Sequence, residues 1–134
     1  MEEIYKIAIA KDEEVQGKIN NFMLEKKWNA ALILCGIGSV RDVQYSALKA
    51  TGDSYITEVI DCPAPAEIVS FTGEIRKTEG MDPAFLKVYG ELGEYFIHIH
   101  AAVAINGGVV YGGGFRKGYA LRGVNVYIRQ MPDI

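Results

Sequence analysis

Two imidazoles one residue apart, at His98-Ile99-His100, are the most chemically pointed feature of this sequence. On a strand, alternate residues share a face, so the pair projects side by side with Cβ atoms roughly 6–7 Å apart. That separation lets both rings reach one metal ion, since imidazole nitrogens sit about 2.0–2.1 Å from zinc. A tight centre needs a third ligand. The chain has no other histidine, so the third would be a carboxylate, a cysteine, water or a residue of a neighbouring subunit. One imidazole could instead act as a general base, its pKa lying close to neutral. The plainer alternative is that both rings hydrogen-bond to neighbours or water.

Glycine clusters are the second feature. Gly107-Gly108 and Gly112-Gly113-Gly114 bracket a short apolar stretch, with Arg116 and Lys117 just beyond. Backbone N–H groups at Gly112 and Gly113, with Arg116 nearby, could cradle an anion. Equally, these glycines could serve a hairpin and let another backbone approach closely, which is the favoured reading. Gly36-Ile37-Gly38-Ser39-Val40-Arg41 poses the same choice, with Ser39 and Arg41 as candidate ligand contacts. Neither stretch has the following helix of a phosphate-binding loop or a dinucleotide fingerprint.

These residues need a scaffold, and hydrophobic periodicity supplies one. Ile4–Ala10 alternates as a strand. Asp12 is placed to cap a helix, with Glu13 and Glu14 in its first turn, Lys26 and Lys27 in its last, and Val15, Ile19, Phe22 and Met23 as its apolar stripe. Ala30–Cys35, Val40–Leu48, Tyr55–Asp61 and Glu67–Arg76 read as strands, separated by turns at Gly36–Ser39 and Thr51–Asp53 and by the Pro63-Ala64-Pro65 break. In Lys77–Gly93, Asp82-Pro83 could open a helical turn, or Phe85–Tyr89 could be a strand. Tyr95–Ile105 is a strand with Ile97, Ile99, Ala101 and Val103 facing a core and Phe96, His98 and His100 on the other side. Asn106-Gly107 signals a hairpin into Val109–Tyr111, and Gly123–Arg129 is a last strand. The expected class is α+β: a mainly antiparallel twisted sheet flanked by one or two helices, in one domain spanning residues 1–134.

Composition sets outer limits. At 134 residues with 49% hydrophobic and 23% charged residues, the chain can bury a core without disulfide or metal staples. Two cysteines without metal or redox spacing, and no secretory leader, point to the reducing cytoplasm. No apolar run approaches the roughly 20 residues that span a bilayer. Fourteen basic against seventeen acidic side chains give a net charge of −3. That argues against an autonomous grip on duplex DNA, where phosphate contacts supply most of the affinity.

Taken in order, Gly36-x-Gly38-Ser39-Val40, Glu67-Ile68-Val69-Ser70-Phe71-Thr72-Gly73, His98-Ile99-His100-Ala101 and Val110-Tyr111-Gly112-Gly113 resemble the PPC (plants and prokaryotes conserved) domain over roughly residues 4 to 130. The resemblance implies a homotrimer. In plants the domain follows an AT-hook that itself grips DNA, whereas stand-alone prokaryotic members are commonly named as DNA-binding candidates, so nucleic acid is one implied partner. A regulatory role is a further expectation of the resemblance, while the histidine pair itself leaves open a metal- or small-molecule-binding protein, or an enzyme, with its site around His98 and His100. Some prokaryotic members hold a metal at three histidines, two of which fall on His98 and His100. The third falls on Gly114, so the resemblance implies a divalent-metal site, such as zinc, with one ligand missing. The family pattern also tends to hold Asp where this chain has Ile105, and Lys77–Gly93 looks like an insertion able to cover the histidine face.

Overall fold

A computed structural model describes residues 3–89 and 92–134; Gly90 and Glu91, inside the expected insertion, lie outside the described residues. Six strands and two helices follow in the order β1 (Tyr5–Ala10), α1 (Val15–Lys26), β2 (Ala30–Thr51), β3 (Ser54–Asp61), β4 (Ala66–Lys77), α2 (Pro83–Val88), β5 (Tyr95–Ala104) and β6 (Val110–Met131). Every pairing between these strands is antiparallel. The α+β layout expected from periodicity is the one found.

Four strands form a closed ring, because β2 pairs with β4, β4 with β5, β5 with β6, and β6 again with β2. β1 adds to β6, and β3 adds to the far end of β2 as a hairpin arm. Closure removes most open edges, which otherwise invite pairing with other chains. One continuous core fills the interior, with Ile33, Phe71, Ile75, Ile99, Val126 and Ile128 among its fully buried members. Helix α1 docks through Val15, Ile19 and Met23, all buried, and half-buried Phe22 joins Tyr5 and Trp28 in an edge-to-face aromatic cluster.

Three sequence expectations need correction. Asp12 does not cap α1; the N-cap position is Glu14, without a side-chain bond. Asp12 instead sits in a left-handed turn at φ 69°, its N–H donating to the Ala120 carbonyl at 2.9 Å and its carboxylate facing Arg41. Glu13 likewise lies before the helix, accepting the Ala10 N–H at 2.7 Å. The second correction is that no turn interrupts Gly36–Ser39, so β2 runs unbroken for 22 residues. The glycines there permit crowding: a Cβ on Gly36 would stand 2.7 Å from the Phe71 ring, and one on Gly38 would collide with the Gly123 carbonyl. Third, Val110–Met131 is also one 22-residue strand, not two. In the ambiguous segment the helix prevails: Pro83 opens α2 and the Asp82 carboxylate accepts the Ala84 N–H at 2.9 Å.

Candidate functional site

Strand β5 carries the two imidazoles on the face away from Ile97, Ile99 and Val103, as period two requires. His98 is half-buried and His100 exposed, and their ring centroids lie 4.9 Å apart, nearly perpendicular. Phe96 stacks on His98 at 5.1 Å and is itself buried beneath α2, where Phe85 and Tyr89 meet it at 5.5 and 4.8 Å. The segment from Pro83 to Tyr89 therefore roofs one end of the histidine row with aromatic rings. Burial holds the His98 imidazole below its ordinary pKa, and neighbouring His100 pushes the same way.

Register explains what surrounds the pair. Across β4, His98 faces Glu74 and His100 faces Thr72. On the other side, His100 faces Gly114 of β6, and Gly114 in turn faces Ser46 of β2. The row Ser46–Gly114–His100–Thr72 thus crosses four strands on one face, with a hollow at the glycine. This hollow belongs to a groove of about 850 Å³. The hairpin arm contributes Leu48 and Thr57 to its wall, α1 contributes Gln16 and Asn20, and Arg116 and Tyr89 complete the end near His98.

The donor set does not fit a three-histidine metal centre. Among the described residues, no group of three His, Cys, Asp or Glu side chains converges as a metal set. At Gly114, where the third histidine would stand, there is no side chain, and a Cβ there would need Ser46 Oγ, 2.6 Å away, to turn aside. Two imidazoles and a hydroxyl remain.

Of the other candidates read from the sequence, Gly113 and Arg116 line the groove, with the histidines. Gly112 pairs with Ala102, and a Cβ on it would press on the Ala101 carbonyl at 2.7 Å, so its role is close backbone approach. Ser39 and Arg41 are placed elsewhere. The Ser39 hydroxyl is buried and accepts the Arg122 N–H at 3.1 Å. Arg41 pairs with Asp12 and Asp42 and lies over the Tyr119 ring. Ser46, Leu48 and Tyr89 were missed. Only the pairing of β2 with β6 brings Ser46 beside Gly114, and nothing local in the sequence announces it.

The family model of the Plants and Prokaryotes Conserved (PCC) domain matches residues 1–132. The chain belongs to this family. Solved structures share the fold of this PPC domain. A Pyrococcus horikoshii PPC protein is 21% identical, with a TM-score of 0.74 over 97% of this chain and 81% of that one. A protein from Archaeoglobus fulgidus, described as metal-containing, is 22% identical at a TM-score of 0.70, covering 96% of this chain and 79% of its own. A candidate DNA-binding protein from Ralstonia eutropha is 15% identical at a TM-score of 0.71, with coverage of 96% and 78%. At these identities the likeness establishes the fold. No curated protein matches the chain. Among the described residues, no helix is long and apolar enough to cross a membrane.

Proposed function

We propose that this PPC domain works as a homotrimeric regulatory binding module, in which the hairpin arm seats one copy on the next and the groove beside His98 and His100 receives a small molecule. The arm carries the reading. Seven of the eight residues of β3 are exposed and the eighth is half-buried, so neither face of the strand is covered along most of its length. Leu48 is 72% exposed, Tyr55 66% and Val59 48%. Cross-strand register puts Leu48 beside Thr57 and Ser46 beside Val59, so these apolar side chains share the groove's face. An exposed apolar edge strand is an aggregation hazard unless a partner covers it, and a second copy of the chain would remove the hazard.

The names of the Ralstonia relative and of a similar Bacteroides thetaiotaomicron protein favour DNA as a further partner. Charge weighs against it: three copies at −3 each carry −9, and a duplex-binding surface would have to be locally basic against that background. Both cysteines are free thiols, which supports a reducing, cytoplasmic setting.

Sedimentation and light scattering test the assembly. The expected particle has the mass of three 14.8 kDa chains, and Val59→Glu with Leu48→Glu dissociates it while circular dichroism shows the fold retained. A native chain that stays monomeric at micromolar concentration would sink the reading. Salt-sensitive duplex binding by the assembly in a mobility-shift assay would put DNA ahead of the small molecule.

A further inference from the structure

The groove's chemistry narrows the ligand class, on the reading that the groove is a ligand site at all. We propose that the hollow over Gly114 is an oxyanion site, taking the carboxylate or phosphate of a small organic molecule against Arg116, with the molecule's apolar body lying along Phe96 and Tyr89.

Arg116 makes the strongest argument. Its guanidinium is permanently charged and offers five N–H donors. One of its terminal nitrogens, Nη1, is sealed from solvent with no hydrogen-bond acceptor. No carboxylate among the described residues lies within ion-pair distance of it, whereas Lys18, Arg41 and Lys77 are all paired. The Tyr89 ring lies over the guanidinium, 5.7 Å from its Cζ, and gives the cation a face but no acceptor. A half-buried cation with one sealed nitrogen and no acceptor is the complement of an anion. The incoming oxyanion supplies that acceptor.

Gly114 supplies the space. Any larger residue would put a Cβ against Ser46 Oγ and fill the floor between that hydroxyl and His100. The hydroxyl and the imidazole N–H groups are further donors around the hollow. Of the carboxylates, Glu14 lines the groove, and Glu74 lies beyond His98 on the β4 side; neither is paired with Arg116. Tyr89, Phe96 and the His98 ring stacked on it line the same end of the groove and give the ligand's body an aromatic wall.

The test uses the full chain, amide-proton NMR, and three probes: benzoate, inorganic phosphate and neutral benzamide. Saturable shifts at residues 98–100 and 112–116 are expected with benzoate and more weakly with phosphate, and none with benzamide. Arg116→Gln weakens benzoate by roughly ten- to a hundred-fold, the loss of a charge-assisted hydrogen bond, while Arg116→Lys keeps part of the affinity. Gly114→Ala weakens it as well, and a native spectrum for each variant excludes unfolding as the cause. An equal response to benzamide, no saturable response, or unchanged affinity in Arg116→Gln overturns the proposal. So does benzoate binding that appears only after zinc is added and shifts His98 and His100. If the native chain proves monomeric and still binds benzoate, the assembly reading fails and this one stands.

Discussion

Tyr95→Phe tests how the histidine strand is anchored. Tyr95 opens β5, three residues before His98, and its ring is buried. Its hydroxyl donates to the Trp28 carbonyl at 2.6 Å and lies 3.3 Å from the Met23 carbonyl in the last turn of α1. One oxygen atom therefore ties the strand to the end of the helix. Removing it keeps ring packing and leaves a buried carbonyl without this donor. A net hydrogen bond is worth about 1 kcal/mol, and the stranded acceptor adds to the loss, so the expected cost is about 1–2 kcal/mol. For a chain of this length that lowers Tm by roughly 5 °C. Urea unfolding followed by Trp28 fluorescence measures it, since Trp28 is the only tryptophan and is buried. The midpoint should fall with an unchanged slope. A loss smaller than about 0.3 kcal/mol would refute the reasoning, showing that the hydroxyl contributes no more than solvent would.

Two further outcomes follow from the same geometry. Gly38→Ala forces a Cβ onto the Gly123 carbonyl at a backbone φ of 144°, so it should destabilise by more than about 2 kcal/mol or prevent folding, whereas Gly52→Ala at the β2–β3 turn meets nothing within 4 Å and pays only for its φ of 74°; thermal melts of the two variants side by side decide this. Glu13 should titrate below ordinary glutamate, because its ionised form accepts the Ala10 N–H and faces Lys18. A depressed folded-state pKa means that its contribution is complete above the unfolded value and lost as pH falls through the folded one. A carboxyl-carbon NMR titration with a midpoint at or above the ordinary value would contradict it.

Local periodicity carried much of the fold. The stripe Val15–Ile19–Met23 marks α1 because its burial repeats every four residues, and β5 shows its two faces because Ile97 and Ile99 alternate with His98 and His100. The long strands were harder to read for a physical reason. A glycine looks like a turn when only its neighbours along the chain are visible. At Gly36 and Gly38 the cause of the glycine is a ring and a carbonyl brought in from β4 and β6, far away in sequence. The site divides in the same way. His98, His100, Gly113 and Arg116 were legible from residue type and spacing, whereas Ser46 arrives through a register between β2 and β6, and Leu48 stands where β2 has left β6 and pairs with β3, both set only by tertiary structure. Ser39 and Arg41 sit farther up β2, at positions paired with Gly123 and Tyr119, and so point to other partners.

The closed ring of strands bears on how the chain folds. Its seam joins residues such as Ala31 and Gln130, and β1 joins β6 at Tyr5 and Ile128, so the ring's defining contacts are almost as distant in sequence as the chain allows. Loop closure costs entropy before such contacts can reward it, which makes slow, all-or-none folding the expectation. Until β6 threads between β2 and β5, both of those strands present bare edges. A chain stalled at that stage is a template for misassembly, and the exposed hairpin arm offers it a further strand to pair wrongly.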